Sequence, residues 1–362
     1  MLQKAAFSLK AGAKILKIVY SLRFTVYGLE VRVMFLGFFN RKHINSSPFT
    51  LHFFSYLCGM INRDLIRIKV VQLAYAYIQN GEKDLTKADK ELELSLSKAY
   101  QLYNNLLLLI CAVTKMARKR YDIITNLSKR DGRKVSRSSF IKNKFALQLS
   151  ENADLRRYVE NYGDPWEQRA EFVKNLLLEM QEDEAAETKT GVDYEVDKTM
   201  WKQLYKKYIQ ENENLDDILE WDSLYWNGDK VIVDTFVLKT ISKFEEGAGE
   251  EQPLLPEFKD EADKEFARKL LYVTLKNTRD YQQYIREACK KWDFARLATM
   301  DVVIMEVAIA EMLNFSEIPV PVTINEYVEL ANEYSTPKSG RFVNGILDAI
   351  AKEQNIKIKK FL

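Results

Sequence analysis

From Met60 onward the chain reads "MINRDLIRIKVVQLAYAYIQNG", and its apolar side chains recur at helical spacing on two faces. At 100° per residue, Ile61, Leu65, Ile68, Gln72 and Tyr75 form one stripe, and Ile66, Val70, Leu73 and Tyr77 form a second. A helix that is apolar on two sides must be packed between neighbours, so this segment demands a helical bundle around it. Arg63 and Arg67, four residues apart, share the strip between the stripes near the helix start. Positive charge is disfavoured there by the helix dipole. Two readings remain open: snorkelling arginines that solvate the helix start, or an anion-binding pair.

Helical signals continue. Thr86 and Asp89 suggest a capping box that opens a long helix running to about Lys119, and its "LLLLICAV" run is too short to cross a bilayer. Residues 118 to 144 are basic and Ser-rich, a solvated loop unless they fold beside another basic site. Further helical segments occupy 145 to 226, where Trp166, Trp201, Trp221 and Trp226 are core or interface anchors. A helix over "KVIVDTFVLKTISKF" stops before the Gly- and Pro-containing "EEGAGEEQPLLPEF". Strand patterns are scarce, no solenoid repeat is present, and the expected class is all-α.

Charge and chemistry narrow the function. The 54 basic residues nearly balance 52 acidic ones, so any nucleic-acid surface is local. Residues 1 to 59 carry eight Lys or Arg against Glu30 alone. Their apolar runs are interrupted by Lys14, Lys17, Arg23, Arg32 and Arg41, too often for a membrane span. They are expected to be an upstream extension outside the fold, with translation starting at Met60; a transit peptide is the alternative. His43 and His52 both lie in this stretch, which leaves the remaining chain without imidazole. Cys58, Cys111 and Cys289 show neither a disulfide framework nor a zinc spacing, in keeping with a reducing cytoplasm. No phosphate-loop, dinucleotide, zincin or nucleophile-elbow motif occurs, so those chemistries lack their sequence signatures and an enzyme is unsupported without being excluded.

The last hundred residues hold the densest signals: "KKWDFARLATMDVVIMEVAIAEML", "EIPVPVTINEYVELANEYS" and "TPKSGRFVNGILDAIAKEQ". Trp292, Leu297, Met300, Ile304, Val307, Ala308 and Met312 mark one buried helix face, and Thr323 with Glu326 suggests a second capping box. In the third segment Asn344 and Gly345 stand in mid-helix, where Gly costs roughly 1 kcal/mol relative to Ala. Close packing over Gly345, or a binding surface at Arg341, Phe342 and Asn344, would compensate.

This order of segments resembles the NusB family of transcription antitermination and ribosomal RNA maturation factors. The residues that carry the resemblance are Trp292, Arg296, Asp301, Glu311, Pro319, Ile324 to Glu326, Glu329 and Phe342 to Gly345, with Arg67, Val71, Gln72 and Tyr75 at the other end. The resemblance implies an all-helical, NusB-like bundle of two three-helix halves, here with a large helical insertion. The implied layout is N-terminal helices over 60–119, an insertion over 120–226 and a C-terminal helical domain over 227–362. It further implies no catalytic activity, no metal and no cofactor, and binding of boxA-type RNA with Arg63, Arg67 and Phe342 among the contacts; Arg341 and Asn344 join them from the reading of the last helix given above. Tyr75 and Asp301 are implied contacts for the NusE ribosomal protein, within a transcription elongation complex and away from membranes. Glu306 occupies a place where the family usually has arginine, and the arginine run at the start of the first helix is reduced. A different class of function, a protein-binding scaffold whose insertion docks a partner, stays in view beside this one. An RNA-modifying enzyme is disfavoured by the missing cofactor loop.

Overall fold

In the computed structural model the described residues are 2–6, 15–26, 29–40, 59–82, 84–131, 139–183, 189–226, 228–289, 294–336 and 338–354. Two compact units result, Met1–Ser55 and Tyr56–Leu362. The first contains an antiparallel meander of β1 (Leu2–Ala6), β2 (Ile15–Val26) and β3 (Leu29–Asn40), in the order β1-β2-β3. The sequence reading placed no element here. The β-branched and aromatic residues of "ILKIVYSLRFTV" and "LEVRVMFLGFFN" give both long strands their propensity.

From Met60 on the unit is helical, as expected, apart from one isolated bridge between Ile61 and Phe258. Its helices are α1 (Arg63–Gln79), α2 (Leu85–Asp131), α3 (Ser139–Lys142), α4 (Lys144–Ser150), α5 (Ala153–Tyr162), α6 (Ala170–Gln181) and α7 (Tyr194–Tyr208). They continue with α8 (Glu213–Asp222), α9 (Lys230–Lys243), α10 (Glu261–Lys276), α11 (Thr278–Ala288), α12 (Thr299–Asn314), α13 (Val320–Tyr334) and α14 (Ser339–Glu353).

Two helices act as hubs. The long α2 packs against α1, α9 and α10, and also against α3, α4 and α6. The second hub, α12, packs against α1, α10, α11, α13 and α14. Every residue from Asp301 to Met312 in α12 is buried, which explains why its sequence is apolar nearly all round. Helix α1 touches both hubs, and its consecutive buried residues Leu65 to Val71 meet the two-stripe expectation.

Local chemistry fixes the helix ends. Asn62 accepts from Leu65 N at 3.0 Å, with Asp64 in the first turn complementing the dipole. Asp84 caps α2, accepting from Thr86 N at 2.9 Å and Lys87 N at 3.2 Å, so the expected Thr86 and Asp89 box is displaced by two residues. That helix also runs on to Asp131 rather than stopping near Lys119. At α13 the second expected box is absent: the helix starts four residues earlier, after Pro319, with a proline in its first turn, and Thr323 is an interior residue.

Residues between α5 and α9 are fastened to α1 and α2 by indole and ionic contacts. Trp166 Nε1 donates to Asn105 O at 2.8 Å and Trp226 Nε1 to Lys98 O at 2.7 Å, both acceptors on α2. Lys69 of α1 is buried against Asp229 at 2.6 Å and donates to Tyr225 O at 2.9 Å. Burial pushes the Lys69 ammonium down and raises the Asp229 carboxyl to about 6, each shift opposed by the partner's charge. Lys69→Met should therefore destabilise the protein by about 3–5 kcal/mol in urea unfolding, because it strands a buried carboxylate. Adding Asp229→Asn should recover much of that loss.

Candidate functional site

The site is built outward from α12, which carries three buried acids. Glu311 is fully buried and receives two parallel bonds from Arg67, Nε to Oε2 and Nη2 to Oε1, both 2.9 Å. Thr323 Oγ1 donates to Oε1 at 2.8 Å and Tyr327 OH to Oε2 at 3.0 Å. Arg67 Nη1 lies 3.4 Å from Asp64 and 3.5 Å from Glu326. Burial works against the guanidinium charge, but the bond to Glu311 and the carboxylates of Glu311 and Glu326 outweigh it and raise its pKa. A bidentate pair with every carboxylate oxygen doubly satisfied is the geometry in which a buried ion pair is tolerated.

This placement corrects the expectation for Arg67. Its side chain is 4% exposed, and its guanidinium is committed to carboxylates on α1, α12 and α13 instead of facing solvent. An arginine interior to a helix that is apolar on two faces needs a buried acceptor, and Glu311 on the buried α12 supplies it. Thr323 and Glu326, which look like a capping box, serve this network. Asp301 departs from expectation in the same way: it is 6% exposed, and its Oδ2 accepts from Ser339 Oγ at 3.0 Å, which ties α12 to the start of α14. Tyr75 is half-buried and packs against the core.

Arg63 remains within reach of solvent. Its side chain is 37% exposed, with Nε 3.4 Å from Asp263 and the guanidinium 4.8 Å from the Phe266 ring centroid, both on α10. That stack leaves a planar cation at the surface. On α14, Arg341, Asn344 and Gly345 are exposed and share one face by their three- and four-residue spacing, while Phe342 is half-buried against the core. Arg63 is thus held by α10, whereas α14 packs on α11, α12 and α13.

Gly345 decides the question raised by its sequence position. Among the described residues, a Cβ built there meets nothing within 4 Å, so close packing against them does not explain it. The close approach in α14 is at Gly340, where a Cβ would overlap the Asn332 side chain. Of the remaining recognition residues, Trp292 lies outside the described residues, as does part of the basic 118–144 segment. Among the described residues no cluster of His, Cys, Asp and Glu suits a metal ion, and no helix is long and apolar enough to cross a membrane.

The described geometry coincides with a match to known proteins. A model of the NusB family matches residues 233–352, which run from α9 into α14. The transcription antitermination protein NusB of Salinibacter ruber is 35% identical over 120 residues, covering 32% of this chain and 75% of that protein. The NusB protein of Thermodesulfovibrio yellowstonii is 38% identical over 128 residues, 35% of this chain and 80% of its own length. A solved structure of T. maritima NusB shares 35% identity, covering 32% of this chain and 73% of that chain, with a TM-score of 0.25.

Truncating Arg67 to Ala should cost about 3–5 kcal/mol of stability by chemical denaturation, since Glu311 would stay buried without its counter-ion. A surface arginine lost from a solvent-facing RNA contact would cost well under 1 kcal/mol, so the measurement separates the two placements.

Proposed function

This chain belongs to the NusB family, and from that premise we propose that it is a transcription antitermination factor. In this reading it binds boxA-type RNA of ribosomal leaders together with the NusE ribosomal protein. It would do so in the cytoplasm, within a transcription elongation complex, supporting ribosomal RNA transcription and maturation. The role assigns no catalytic step to any residue and needs no cofactor.

The exposed face of α14 carries the proposal. Gly345 lowers helix stability and has no packing neighbour among the described residues, so the open backbone around it suits the approach of another molecule. Arg341 supplies a cation beside it and Asn344 an amide with both donor and acceptor capacity, the groups that unstacked RNA requires. Phe342 is half-buried on the same helix, and Arg63 supplies a second cation on α10's side. Arg67 acts in this scheme by fixing α1 against α12 and α13. Tyr75 is the half-buried residue assigned to the ribosomal-protein contact, and Asp301 supports that face from beneath.

A second reading has its own observation. Trp221 in the insertion is 89% exposed and Leu224 is 75% exposed, unlike the buried Trp166, Trp201 and Trp226. Exposed aromatics of this kind mark protein interfaces, which favours a scaffold whose insertion docks a partner, with RNA binding residual.

Binding of boxA RNA and a scrambled strand, with and without the ribosomal protein at two salt concentrations, separates the readings. The factor reading expects boxA preference, strengthened by the protein, with Arg341→Ala reducing the salt slope by about one. Gly345→Ala is the sharpest variant: it should raise stability by about 0.5–1 kcal/mol while weakening RNA binding. Indifference to RNA sequence, with unchanged affinity in Gly345→Ala, would leave the scaffold.

A further inference from the structure

The third acid of α12 forms no ion pair among the described residues. Glu306 is fully buried, its Oε1 accepts from Gln282 Nε2 at 2.9 Å, and its Oε2 has no hydrogen-bond donor among the described residues. Burial raises the carboxyl to about 7; the Gln282 and Thr278 side chains and the Arg286 charge, all on α11, pull the other way. A buried carboxylate oxygen left unsatisfied is costly, and its persistence calls for a ligand.

Glu306 lines a pocket of about 220 Å³ whose other walls include Ile78, Phe294, Leu297, Val302 and Val303. Small-molecule sites usually occupy about 300–1,000 Å³, so this volume suits a single long side chain. Apolar walls with one acid behind them match a side chain that has an aliphatic stem and a cationic head. A phosphate would be repelled, which removes nucleic acid as the occupant. The chain's own Arg286 does not fill the place: its guanidinium stacks 4.3 Å from the Phe294 ring centroid and donates to Gln282 Oε1 at 3.3 Å, one residue short of Glu306.

We propose that this pocket receives a lysine or arginine side chain from a basic protein partner, with the stem against Ile78, Leu297 and Val302 and the head group at Glu306. Ile78 lies one turn beyond Tyr75, and Val302 follows Asp301, so the pocket adjoins the face assigned above to the ribosomal protein. The identity of the arriving protein rests on that assignment; the chemistry of the pocket does not. Arrival of a cation draws the carboxyl into its ionised form, so binding near neutral pH releases protons.

Calorimetric titration of the full chain tests this with two probes, the NusE ribosomal protein and n-butylguanidinium, in buffers of different ionisation enthalpy. Glu306→Gln, nearly isosteric, should weaken the ribosomal protein at least about ten-fold and abolish proton release, with RNA affinity unchanged. The same variant should flatten the pH dependence of stability. With a folded-state carboxyl raised from 4.5 to about 7, the unmodified chain is favoured below 4.5 and loses that contribution as pH rises through 7. Equal affinity and equal proton release in both chains would overturn the proposal. If the ribosomal protein binds neither chain, the partner assignment fails; n-butylguanidinium binding to the unmodified chain but not to Glu306→Gln would still support the pocket, and binding to neither would overturn it. A gain in n-butylguanidinium affinity on replacing Lys290 and Lys291 by Ala would make the chain's own segment the occupant and overturn it as well.

Discussion

The Arg67–Glu311 pair is the constraint around which the C-terminal bundle is arranged. One guanidinium joins α1 to α12, and the same carboxylate collects Thr323 and Tyr327 from α13, so three helices share a single buried charge centre. Apolar packing alone tolerates small rotations of helices about their axes. A planar fork against a carboxylate does not, because both bonds weaken together when either helix turns. The pair therefore acts as a specificity device for helix register, beyond whatever net stability it contributes.

With that register set, the remaining acids of α12 take up graded states of satisfaction. Glu311 is paired on both oxygens, whereas Asp301 has Ser339 and Glu306 has Gln282 on one oxygen each. The fully satisfied acid is the one nearest the C-terminal end of the helix, and Glu306, about one turn and a half before it, lines a pocket. Electrostatic demand is thus met at one end of a shared element and only partly met over the rest. A helix used this way serves as core and as recognition element at once.

Much of this was legible in the sequence. The two apolar stripes of α1 foretold its burial on both sides, and the dense C-terminal segments carried the family resemblance. Site details were harder because local patterns have several physical causes. Thr323 and Glu326 have the spacing of a capping box, yet the prolines set the helix start and free both side chains for tertiary bonds to Glu311 and Arg67. Arg67 looks like a surface cation until its acceptor, 244 residues away, is brought to it. Gly345 suggested close packing, but that role belongs to Gly340 five residues earlier. Long-range partners of charged groups are what periodicity cannot encode.

Helix α2 has a consequence for how such a chain can change over time. Its 47 residues pack against α1, α9 and α10 and also against α3, α4 and α6, all within one hydrophobic core. Each residue added within a helix turns everything beyond it by about 100° and advances it about 1.5 Å. The two sets of neighbours are therefore geared to one another through a single shaft. Insertions and deletions inside that shaft misalign one set against the other unless they approximate whole turns, whereas the loops beyond it can lengthen without that penalty. Growth of this family member is channelled to the ends of its longest helix.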